Sequence, residues 1–137
     1  MDARKFVLAT LAYVGMSFAL GFGWHLLLFR ETYQQLGIYT REPPLFALGL
    51  TSMVLQGMVL AYLYPMFNRG ARPWLSGIRF GLVMGLFLWS VAVLAHAAKS
   101  TVSSMPTFFT LSTAFHLIQF VAAGALIGWI HGAPARR

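Results

Sequence analysis

The sequence predicts an all-α integral membrane protein, a four-helix bundle with antiparallel neighbours and both termini on one side. Three observations predict it. First, the chain is 58% hydrophobic and only 9% charged, whereas soluble domains carry about a quarter charged residues. Second, a single domain of 137 residues has too much surface per volume to hide that apolar share in its own core. Third, the apolar residues fall into four runs. Each is close to the roughly 20 residues that cross a bilayer as a helix.

The first span is expected over residues 5–29. Arg4 and Lys5 followed by an apolar run resemble a secretory signal. The run is too long for a signal's hydrophobic region and lacks a good small-x-small cleavage site, so it reads as a retained span. The loop "RETYQQLGIYTREPP" (30–44) is the only long one, and its Tyr33 and Tyr39 suit a headgroup layer. The second span follows over 44–67, and "FNRGARPW" (67–74) is a tight basic turn. The third runs over 73–98 and the fourth over 106–130. Pro44, Pro73 and Pro106 sit at first turns, where a missing N–H costs nothing. Ser103 and Ser104 are natural caps for the last span. All four spans form one domain, 1–137.

Orientation follows from the basic residues. Arg4, Lys5, Arg69, Arg72, Arg79, Arg136 and Arg137 fall on one side. Arg30, Arg41 and Lys99 fall on the other, beside Glu31 and Glu42. The positive-inside rule then puts both termini in the cytoplasm of a bacterial inner membrane. Arg79 can snorkel back to the headgroups. The net charge of +7 is explained by topology and does not point to nucleic acid. With no cysteine, disulfides and thiolate chemistry are excluded.

Lipid does not drive apolar helices together, so close packing depends on small residues and hydrogen bonds. Gly77, Gly81 and Gly85 recur at spacing four in the third span, and the stripe continues through Ala92 and Ala95. Gly124, Gly128 and Gly132 do the same in the fourth. Both rows lie in the cytoplasmic halves of consecutive antiparallel helices, so they are expected to touch as a glycine zipper. Gly15, Ala19 and Gly23 form a similar row in the first span. At about 100° per residue, Leu111, Phe115, Ile118, Ala122 and Trp129 form a lipid side of the fourth span. Ser112, His116, Gln119 and Ala123 form an inward side.

"AFHLIQF" (114–120) puts His116 and Gln119 inside this oily run. At 1.5 Å per residue His116 lies about 15 Å below Pro106, and Gln56 and Gln119 both lie roughly 18–20 Å deep. The two amides are expected at one level, where they can bond. Two readings stay open: interhelical glue, or a polar path or ligand site using Gln56, His116 and Gln119. His25 and His96 are expected together at the outer end, where paired histidines can ligate haem or a metal. Zinc normally needs three or four ligands, and no His-x-x-His or Glu-x-x-His spacing exists, so no cofactor or metal is assigned. His131 beside Trp129 reads as interfacial.

Catalysis is hard to build. Asp2, Glu31 and Glu42 all lie outside the spans, which argues against aspartyl protease chemistry and a carboxylate proton relay. Ser112 and His116 are i, i+4 neighbours, but no Gly-x-Ser-x-Gly turn accompanies them. There is no phosphate loop and no inverted repeat.

"GFGWHLLLFRETYQQLGIYTREPP" resembles small four-span bacterial inner-membrane proteins that share a domain of unknown function. Trp24, Phe29, Tyr33, Leu36 and Gly37 carry the resemblance. "QGMVLAYLYP" and "RFGLVMGLFLWSVAVLAHAAK" extend it over nearly the whole chain. It implies a four-helix bundle and no substrate. The expected role is a non-catalytic accessory or scaffold subunit, in contact with lipid and with itself or another membrane protein. The alternative is a small conduit or ligand-binding protein.

Overall fold

A computed structural model of the chain describes residues 2–68 and 72–132. Arg69, Arg136 and Arg137, used in the orientation argument, lie outside the described residues, as do Gly70 and Ala71 of the basic turn. Four long apolar helices span Ala3–Leu28, Phe46–Phe67, Pro73–Ala97 and Met105–His131. They pack antiparallel, the first against the second and the third against the fourth, and the first and fourth close the bundle. One end therefore carries the start of the first helix, Ala3, and the end of the fourth, His131. The opposite end, called here the loop end, carries the 29–45 connection.

Pro73 and Pro106 stand in the first turns of their helices. Pro44 lies just before the second helix, which begins at Phe46. Ser104 occupies the N-cap of the fourth helix, but its hydroxyl donates to Thr107 Oγ1 instead of accepting a backbone N–H. At the terminal end, Lys5 Nζ donates to the His131 carbonyl at 2.7 Å. The contact places a cation on a helix C-terminus, where the macrodipole is negative. Asn68 Nδ2 donates to the Gly132 carbonyl at 2.8 Å.

The connection at the loop end is more ordered than its composition indicates. It contains a short helix, Arg30–Gln35. Gly37 closes that helix with φ +82°. Its N–H donates to the Gln34 carbonyl, and the Ile38 N–H donates to the Tyr33 carbonyl. This is a Schellman stop, and a glycine takes the left-handed position without steric cost. The turn lays Tyr33 and Leu36, both almost fully buried, onto Val93 and Phe108.

The glycines of the third and fourth spans sit at a backbone-to-backbone contact. A Cβ on Gly77 would overlap the Gly124 carbonyl, and one on Gly81 the Phe120 carbonyl. A Cβ on Gly124 would run into the Gly77 carbonyl, and one on Gly128 into that of Pro73. At Gly85 the neighbour is the Phe120 side chain, 2.7 Å from such a Cβ. Gly132 does not join this row. It caps the helix at φ +70° with open space around it.

Two segments are π-helical: Phe22–Leu28 at the end of the first span and Ser90–Leu94 in the third. The wider i→i+5 turn delays the inward face by one residue. Val93 is fully buried in place of Ala92, which is exposed. The expected continuation of the stripe through Ala92 therefore fails. The alanine assignment assumed 3.6 residues per turn throughout.

Candidate functional site

The polar residues singled out from the sequence separate into three places. The first is a hydrogen-bonded network in the middle of the bundle. The Tyr13 hydroxyl donates to Gln56 Oε1 at 2.7 Å. Gln119 Nε2 donates to Tyr13 Oη at 3.3 Å and to Ser17 Oγ at 3.2 Å. Gln56 Nε2 donates to Ser52 Oγ at 2.9 Å. Gln56 and Gln119 thus share a level but meet through Tyr13, not directly. Tyr13 and Ser17 have no exposed surface. Their helix presents Ala9, Tyr13, Ser17 and Gly21, at spacing four, as one buried row. Gly57 lets the first and second helices approach, since a Cβ there would stand 3.1 Å from the Thr10 carbonyl and from Tyr13 Cδ1. Tyr13, Ser17 and Ser52 were not selected from the sequence. The available signal was the pairing of polar residues at i, i+4 on two spans, Tyr13 with Ser17 and Ser52 with Gln56.

The second place is a lateral groove of about 310 Å³ between the third and fourth helices, lined by His116 with Gly85, Leu86, Trp89, Thr113 and Phe120. His116 makes no hydrogen bond to Gln56 or Gln119. Its Nδ1 lies 2.7 Å from the Ser112 carbonyl of its own helix. That oxygen can only accept, so Nδ1 carries the proton. The Ser112 hydroxyl is not the partner. Residues three apart on a helix differ by about 60° around its axis. That is enough for Gln119 to face the first helix while His116 turns toward the third. The expected inward polar row is therefore split. Phe115, expected toward lipid, is 8% exposed, because Trp24 and His25 of the first span lie against it, with ring centroids 6.0 and 4.4 Å away. Ile118 and Trp129 do face outward.

The third place is the loop end. His25 lies among aromatic rings, with centroids of Phe115 at 4.4 Å and of Tyr33 and Tyr39 at 4.9 Å. Trp24 Nε1 donates to Tyr33 Oη at 3.0 Å. Burial pushes the Tyr33 phenol above its ordinary range, and the hydrogen bond from Trp24 draws it part of the way back. His96 lies against Phe108, with ring centroids 5.7 Å apart and the planes tilted. His25 Nδ1 and His96 Nε2 are both buried without a hydrogen-bond partner. Among the described residues no three His, Asp or Glu side chains gather where they could hold one metal ion. Beside His25 opens a cavity of about 290 Å³, whose polar lining is His25, Arg30, Gln34, Tyr39, Arg41 and Glu42. Arg30 and Glu42 form an ion pair at 3.0 Å, and Gln34 Nε2 also donates to Glu42.

His131, at the other end, lies tilted against Tyr64, with centroids 5.1 Å apart. Trp24, Phe29, Tyr33 and Leu36, on which the expected resemblance rested, all belong to the loop-end cluster.

Four long, apolar, antiparallel helices define the class: a small multi-pass membrane protein in contact with lipid. Comparison with family models, with curated proteins and with solved structures finds no match, and no family is identified.

Proposed function

We propose that the chain is a non-catalytic scaffold or accessory subunit of the bacterial cytoplasmic membrane. Both termini face the cytoplasm. It associates through its first span with a helix of a second copy or of a larger membrane complex. One observation carries this reading. Gly15, Ala19 and Gly23 repeat the small-residue spacing of the third and fourth spans, yet the bundle does not use them. A Cβ added at Gly15 or Gly23 meets nothing within 4 Å, and Gly15 and Ala19 are exposed. Such a row lets a partner backbone approach closely in lipid. Leu11 and Phe18, 62% and 43% exposed, supply bulk beside it.

The test is subunit counting by single-molecule photobleaching in native-membrane nanodiscs. The wild type is expected to count as an oligomer, or with a co-isolated membrane protein. Gly15→Leu with Ala19→Leu is expected to reduce it to a lone monomer. A wild-type protein that counts as a lone monomer overturns the proposal. A carboxy-terminal green fluorescent fusion, bright only in the cytoplasm, tests the orientation.

The mid-membrane network supports the glue reading of Gln56 and Gln119. Gln56 Oε1 and Nε2 and Gln119 Nε2 are engaged by Tyr13, Ser17 and Ser52. His116 lies apart in the lateral groove, so the conduit reading has no continuous row of polar groups to support it.

A further inference from the structure

We propose that the loop-end cavity beside His25 binds an anionic lipid, with the oxyanion head against Arg41 and Arg30 and an acyl chain along its apolar wall. The proposal does not rest on the association proposed above, although its wall on the first span adjoins Gly23.

Four observations converge on it. The cavity holds two guanidiniums against one carboxylate. Glu42 is engaged by Arg30 and Gln34, and no carboxylate among the described residues pairs with Arg41. The cavity therefore has a surplus positive charge with donors free to bind an oxyanion. His25 lines the same space, and its Nδ1 is buried without a partner. A buried polar nitrogen left unpaired is costly, and turning the imidazole toward the cavity would bring it to a head-group oxygen. The rest of the wall is Phe22, Leu26, Leu27, Pro44 and Phe46. Leu27 and Phe46, 68% and 51% exposed, continue the outer surface of the spans toward the hydrocarbon. A small soluble anion would leave that wall unused, whereas an acyl chain covers it. Finally, the wall on the first span is its π-helical turn, Phe22–Leu28, an arrangement that often marks functional sites.

The shared chemistry is an oxyanion on an acyl chain. A phospholipid phosphate and a fatty-acid carboxylate both offer it. The experiment is native mass spectrometry of the full chain from a neutral detergent, with equal phosphatidylglycerol and phosphatidylethanolamine added. Phosphatidylglycerol is expected to be retained about fivefold better, the effect of one partly exposed ion pair at the strong end of its range. Arg41→Gln is expected to remove the preference and Arg41→Lys to keep most of it. Arg72→Gln, at the opposite end of the bundle, is expected to leave it unchanged. Arg41 is exposed, and unchanged far-ultraviolet circular dichroism confirms that each variant folds. Added oleate that displaces phosphatidylglycerol identifies the carboxylate as the better head and supports the site. Equal retention of the two phospholipids overturns the proposal, as does a preference that survives Arg41→Gln. Displacement of the lipid by inorganic phosphate alone also overturns it, because the site would then read a soluble anion.

Discussion

The Tyr13 hydroxyl donates to Gln56 Oε1 at 2.7 Å while accepting from Gln119 Nε2 at 3.3 Å, so one phenol joins three of the four spans. Tyr13→Phe keeps the ring and removes both bonds. Interhelical hydrogen bonds in membranes are worth about 0.6 kcal/mol each and seldom exceed about 2. The substitution is expected to lower stability by about 1 kcal/mol in mixed-micelle unfolding. In a double-mutant cycle, Tyr13→Phe and Gln56→Leu are expected to be less than additive, since they break a shared bond.

Glycines at the same spacing are expected to respond in opposite ways. Gly81→Ala drives a methyl into the Phe120 carbonyl, and overpacking of this kind costs about 1–3 kcal/mol. Gly15→Ala adds a methyl in open space and is expected to stabilise the monomer by up to about 1 kcal/mol through helix propensity. Thermal unfolding of the two variants side by side checks the contrast. Equal effects would contradict the packing described.

His116→Leu is expected to change stability by no more than about 0.5 kcal/mol. The imidazole bonds only the Ser112 carbonyl of its own helix and otherwise lines an apolar groove. A loss above about 2 kcal/mol in the same unfolding assay would show that it holds two spans together.

Tyr33 resists ionisation because burial disfavours its phenolate. A folded-state pKa above the ordinary 10.0 means that the folded state holds the proton more tightly than the unfolded chain. The resulting stability is fully present below pH 10.0 and is lost as pH rises from there through the raised folded value. The difference between wild type and Tyr33→Phe in phenolate absorbance is expected to emerge only above pH 10.0.

Lys5→Met is expected to cost about 0.3–1 kcal/mol, since it removes the cation that caps the fourth helix at the His131 carbonyl. Lys5→Arg is expected to recover most of the loss. Deuterium exchange at 128–132 gives the local readout.

The ends of the four apolar helices lie within about two residues of the expected bounds, because hydrophobic run length is a one-dimensional property. The level of Gln56 and Gln119 was legible for the same reason, since depth counts along the helix. Their meeting through Tyr13 was not. Which of two faces a residue presents depends on which neighbour lies there, and Gln119 and His116 were separated by only about 60° of rotation. Phe115 was assigned to lipid because helical phase alone cannot show that Trp24 and His25 of the first span lie against it.

The sequence by itself determined that the chain has four helices long and apolar enough to cross a membrane, roughly where each begins and ends, and which helix stretches are narrow enough to touch. Those properties follow from composition and spacing along one chain. Only the tertiary structure decided that His25 sits beside a charged cavity, that His116 stands apart from the amides, and that the first-span glycines face outward. Each of these depends on the rotation of one helix against another. That rotation is set by many weak contacts at once, including two π-helical turns that shift the phase.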